Sequence, residues 1–69
     1  MYRYVLNLNR QSNGDYEVHK DGCYYFPVNN FEELGNHYGC ESPVEQAKAR
    51  HPFKSINGCK HCAPTCHTS

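Results

Sequence analysis

Near its C-terminus the chain sets three cysteines and two histidines within nine residues, Cys59-Lys60-His61-Cys62-Ala63-Pro64-Thr65-Cys66-His67. Cys59-x-x-Cys62 has the spacing of a metal knuckle, in which two thiolates at the ends of a tight turn point at one ion. Two ligands do not complete a tetrahedral zinc shell, so the chain must supply two more. The best-spaced source is His19-Lys20-Asp21-Gly22-Cys23, an H-x3-C at a turn. Each pair is short-range, and about 35 residues separate Cys23 from Cys59. Closing a loop of that length constrains the unfolded chain strongly. The expected site is therefore His19, Cys23, Cys59 and Cys62 around one Zn2+.

A metal staple also answers a problem of size. Sixty-nine residues form one domain, spanning 1–69, and a chain this short buries only about 60% of its unfolded surface. Large aliphatic residues are few, and nine aromatics, six of them tyrosines, must supply much of the core. The area-minus-entropy sum for such a core is near break-even. A structural zinc contributes on the order of 10 kcal/mol of folding free energy.

Disulfides are the competing staple. The N-terminal Met1-Tyr2-Arg3-Tyr4-Val5-Leu6-Asn7-Leu8 has no charged n-region, apolar h-region or cleavage site of a signal peptide. A cytoplasmic location is expected, where thiols stay reduced. Five cysteines cannot all pair within one chain. No apolar run approaches membrane-spanning length, so no membrane role is expected.

Alternatives within the motif remain. Cys66 or His67 can replace His19 as a ligand. The Cys59, Cys62, Cys66 and distant Cys23 set also loosely suggests an iron–sulfur site, although the spacing departs from ferredoxin runs. Cys40 reads first as a buried small hydrophobe; a Cys40–Cys66 pairing would leave the quartet intact. His37, His51 and His61 lack a paired spacing and are not expected to be ligands. His61, inside the knuckle, is expected to steady the site by a hydrogen bond to a neighbouring carbonyl.

The rest of the chain reads as α+β. Tyr2, Tyr4, Leu6 and Leu8 alternate with polar residues and Val5, which predicts a strand over about 2–10. Gln11-Ser12-Asn13-Gly14-Asp15 predicts a hairpin turn with Gly14 left-handed and a second strand over about 15–19. In the register that keeps one inward face, Val18 lies opposite Leu8 and Tyr16 opposite Arg10. Tyr24 to Phe26 should be a short extended piece and Val28 to Glu33 an irregular loop, followed by a short third strand near Leu34 to Tyr38. Ser42-Pro43-Val44-Glu45 predicts a helix over about 43–51, with Ser42 as N-cap, Pro43 first in the helix and Glu45 completing a capping box. Phe53 and Ile56 would lead into the knuckle, as a short strand at most, with Gly58 allowing its tight turn.

The pattern H-x3-C-Y, then a strand, a helix opened by Ser, Pro and Glu, then G-C-x-x-C-x-P, resembles the metal-binding domain of the Ada methyl-phosphotriester repair proteins and related zinc modules of some bacterial nucleases. The resemblance covers about residues 18–64 and places His19, Cys23, Cys59 and Cys62 at the zinc-ligand positions. The whole chain is more closely similar to small, stand-alone, uncharacterised bacterial proteins with a C-x-x-C-x-x-x-C-H-T-S terminus, a likeness that implies no function. In Ada the first ligand is a cysteine, and the four-thiolate site is negative enough to accept a methyl group. A Cys3His site carries one negative charge fewer, and the basic DNA-contacting residues of Ada have no counterpart here.

These features lead to a noncatalytic zinc module, a monomer, that binds protein or nucleic acid. A formal net charge of zero removes the usual electrostatic warrant for tight nonspecific nucleic-acid binding. The alternative is thiolate chemistry, either alkyl acceptance or redox sensing, at the zinc site or at Cys66. A zinc hydrolase needs an open coordination position and a base. Glu17 or Asp21 would serve only if His19 were not a ligand.

Overall fold

The computed structural model describes residues 1–68; Ser69, the last residue of the terminal motif, lies outside them. Four strands and one helix follow in the order β1 (Tyr2–Asn7), β2 (Asp15–Lys20), β3 (Phe31–His37), α1 (Glu41–Arg50) and β4 (Ser55–Gly58), and a short 3-10 turn spans Pro64–Cys66. The expected α+β class holds, but the sheet is mixed rather than purely antiparallel. Its strand order is β3-β1-β2-β4, with β1 antiparallel to both neighbours and β4 parallel to β2.

β1 stops at Asn7 rather than running to Arg10. The Asn7 side-chain oxygen accepts the backbone N–H of Asn9 at 2.9 Å, and this local bond competes with the ladder. The consequence appears in the register. At the turn, Gln11 N–H donates to the Asp15 carbonyl, as the expected pairing requires, and Gly14 is left-handed at φ 95°. Further along, Val18 lies opposite Leu6, not Leu8. The β1 side thus carries two extra residues between these points. A shift of two leaves the inward face unchanged, because strand side chains alternate with period two.

That inward face packs on α1. Tyr4, Leu6, Val18, Leu34, Cys40, Val44, Ala47 and Ala63 form the core, with Leu8, Tyr16 and Ile56 against its edge. Leu34 reaches it through a β-bulge, as the residue left without a partner where Tyr4 pairs with Gly35 and Val5 with Glu33. α1 begins at Glu41 with Cys40 as N-cap, one turn's fraction before the expected start. Ser42 does not cap the helix; its hydroxyl meets His37 Nδ1 at 2.9 Å. Pro43 sits buried in the first turn, where its missing N–H has no intrahelical acceptor to lose.

The opposite face of the sheet is also closed. Val5 and His19, paired across β1 and β2, are both fully buried there. Residues 23–26 form a turn, with Phe26 N–H bonded to the Cys23 carbonyl at 3.0 Å, instead of an extended piece. Phe31 to Glu33 belong to β3 instead of a loop. Phe26 and Phe31 meet edge to face at 5.8 Å, with the Arg3 guanidinium over both rings.

Candidate metal centre

Strand alternation aims His19 away from the aliphatic core and towards the face that carries the two turns. Turns at Lys20–Cys23 and Cys59–Ala63, closed by Cys23 N–H to Lys20 O at 3.1 Å and Ala63 N–H to Cys59 O at 2.8 Å, bring their cysteines to the same point. β4 leads into the second turn, and Cys59 extends its pairing by donating its N–H to Val18 O at 3.0 Å.

Four ligand atoms converge there. His19 Nδ1 lies 3.8 Å from Cys23 Sγ and 3.9 Å from Cys62 Sγ, and Cys23 Sγ lies 3.8 Å from Cys59 Sγ. All four atoms fall within 4.8 Å of one another. A tetrahedron with Zn–S bonds of about 2.3 Å has sulfur–sulfur edges of about 3.8 Å and slightly shorter sulfur–nitrogen edges. The spacing is far too long for a disulfide among these sulfurs. His19, Cys23, Cys59 and Cys62 are thus positioned to hold a metal ion.

The surroundings suit thiolate ligands. Lys20 N–H points at Cys62 Sγ at 3.3 Å. The backbone N–H groups of His61 and Cys62 favour a negative Cys59 sulfur. Without a cation, burial pushes the Cys59 and Cys62 thiols up, and at Cys62 the neighbouring Cys23 and Cys59 thiols add to the effect. Burial also lowers the pKa of His19 below its ordinary 6.5, which favours the neutral imidazole that metals bind.

The remaining candidates are placed elsewhere. Cys40 and Cys66 form a disulfide with Cα atoms 6.3 Å apart, which ties the start of α1 to the 3-10 turn. Neither is a ligand to the quartet, and Cys66 offers no free thiol. Of the two expectations for Cys40, a lone buried residue or a partner of Cys66 that leaves the quartet intact, the pairing is the one found, and Cys23, Cys59 and Cys62 stay free. Cys40 keeps its buried place in the apolar core. His67 directs Nδ1 to the Gly58 carbonyl at 3.0 Å, away from the cluster. The His61 ring packs on Tyr25 with centroids 4.4 Å apart, so its observed neighbour is an aromatic face. His37 bonds the Leu34 carbonyl at 2.7 Å and His51 bonds Glu32 at 2.6 Å. Gly58 is needed for space: a Cβ there would meet Cys66 Cβ at 2.6 Å.

Comparison of the chain with protein-family models, with curated proteins and with solved structures yields no match in any of the three. What the structure carries of the Ada resemblance is the clustering of the four residues. Among the described residues, no helix is long and apolar enough to cross a membrane.

In the sequence Glu17 stands out only as a base for the case in which His19 is not a ligand. The structure places its Oε1 3.6 Å from His19 Nε2, on the side of the ring away from the sulfurs. The signal was available: residues two apart on a strand share a face.

Proposed function

We propose that this protein is a small zinc module, one domain over residues 1–69, in which His19 Nδ1 and the sulfurs of Cys23, Cys59 and Cys62 hold one Zn2+. The observation that carries the reading is the convergence of one imidazole nitrogen and three sulfurs within 4.8 Å of one another. Zinc prefers this donor set and a closed shell of four when its role is structural. Iron–sulfur chemistry is less well served, because the typical clusters take four cysteines or place two histidines on one iron.

The role is noncatalytic. Four protein donors leave no position for a substrate or an activated water. Redox chemistry at Cys66 has lost its free thiol to Cys40. The ion fixes the loops that follow β2 and β4, and with them an exposed aromatic surface. Tyr24 is 91% exposed and Tyr25 52% exposed, beside His61 and Lys60. Such a surface suits a macromolecular partner, since tyrosine offers contact area at low entropic cost.

Native mass spectrometry of protein purified without chelator tests the metal reading. One zinc per chain is expected in the wild type, with loss or weakening in His19→Ala. A wild-type protein that takes up no zinc when titrated under reducing conditions sinks it.

A further inference from the structure

His19 Nε2 is the one buried side-chain nitrogen or oxygen among the described residues that has no hydrogen-bond partner. The residue is 1% exposed, so water does not freely satisfy this atom. A buried polar group left unpaired forfeits the hydrogen bond that water would give it, so the fold should supply a partner. The ring has two distinct ends. Nδ1 faces the sulfurs of Cys23 and Cys62, and a nitrogen that binds a metal cannot carry a proton. The proton of the neutral ring then resides on Nε2, which becomes a donor in need of an acceptor.

The nearest carboxylate oxygen is Glu17 Oε1, at 3.6 Å. Glu17 and His19 leave the same face of β2, and the Glu17 side chain is 18% exposed, so it is held close to the ring. A displacement of a few tenths of an ångström brings the pair to hydrogen-bonding distance. Both residues line a cavity of about 450 Å³ that also receives Asn7, Gln11 and His67. Of these, Glu17 brings the negative charge that strengthens a bond to Nε2–H and makes Nδ1 a better donor to a cation.

We infer that Glu17 is the positioning residue of the centre: it accepts the Nε2–H of His19, fixes the tautomer with a free Nδ1 and holds the ring towards the three sulfurs. The inference rests on the zinc reading above. It gives Glu17 a task that needs no open coordination position, unlike the role of a hydrolytic base.

The test compares zinc-loaded wild type, Glu17→Gln and Glu17→Ala, each labelled with 15N-histidine. Long-range proton–nitrogen correlation spectra read the tautomer and the Nε2–H shift of His19, and competition with a chromophoric chelator reads zinc affinity. In the wild type, a protonated Nε2 with a downfield, slowly exchanging proton is expected. Glu17→Ala should weaken zinc by about 10–100-fold, the range for partners of metal-bound histidines, while one zinc still binds at saturation. Glu17→Gln keeps an acceptor oxygen without the charge and should fall between, and it decides the matter if Glu17→Ala does not fold. Equal affinities, or an Nε2–H shift that does not respond to Glu17→Gln, overturn the inference. A wild type that binds no zinc overturns the metal reading instead.

Discussion

Cys66 occupies the space a side chain at Gly58 would need: a Cβ there would lie 2.6 Å from Cys66 Cβ and 3.0 Å from the Ala63 carbonyl oxygen. Gly58 ends β4 and directly precedes Cys59, while Cys66 is bonded to Cys40 at the head of α1. The contact therefore joins the disulfide to the strand that delivers the knuckle. Gly58→Ala should destabilise the zinc-loaded protein by about 1–3 kcal/mol, the range for overpacking a filled site. Urea denaturation of the two proteins checks this, and an unchanged midpoint would show that the 3-10 turn yields without cost.

The disulfide and the four-ligand cluster lie on opposite faces of the sheet, which makes them separable. Cys40 belongs to the core under α1, whereas His19 lies on the other face with Val5. Replacing both Cys40 and Cys66 by serine opens a loop with a sequence separation of 26. The chain-entropy relation assigns such a loop about 3.5 kcal/mol. A loss of about that size is expected in chemical denaturation, with one zinc per chain retained. Loss of zinc from the double variant would instead make the disulfide part of the metal site.

Removing the metal should act on the other face. The Val18–Leu6–Val44–Ala47 core and the disulfide do not pass through the cluster, but the positions of residues 20–26 and 59–63 depend on its convergence. Chelation should raise amide exchange most at Lys20, Cys23 and Cys59 to Ala63, whose turn hydrogen bonds close the site, and least in β1 and α1. Uniform loss of protection would show that the two faces unfold as one unit.

The cluster was legible in the sequence because its spacings are local. H-x3-C and C-x-x-C each place two donors at one turn, and the strand period fixes the side of the sheet from which His19 points. The inward face of β1 and β2 was equally legible, since alternation survives a register shift of two. The shift itself was not, because it depends on whether Asn7 bonds its own backbone or the ladder. Ser42-Pro43-Val44-Glu45 looks like a capping box, yet the His37 imidazole competes for the Ser42 hydroxyl from β3, a contact no local pattern encodes. The parallel pairing of β4 with β2 and the closeness of Cys40 to Cys66 are long-range outcomes, which no short spacing encodes. Gly58 showed itself in sequence as a turn residue, while its structural reason is the neighbour it must admit.

The state of the sulfurs before metal arrives yields a last prediction. Burial raises the pKa of Cys59 and Cys62, so both are protonated at neutral pH in the metal-free fold. Burial lowers the pKa of His19 below 6.5, so at pH 7.5 its ring is already neutral and has no proton to release. Zinc uptake must then expel at least two protons, one from each of these thiols, and none from the histidine. The sign follows: protons compete with zinc, so affinity falls as the solution is acidified and rises with pH. Below pH 6.5 the competition steepens only as pH approaches the lowered His19 value. Calorimetric titration with zinc at pH 7.5, in buffers of different ionisation enthalpy, counts the protons. Two to three per ion is the expected result, and fewer than two would mean that the Cys59 and Cys62 sulfurs are already thiolates before zinc binds, or that one of them is not a ligand.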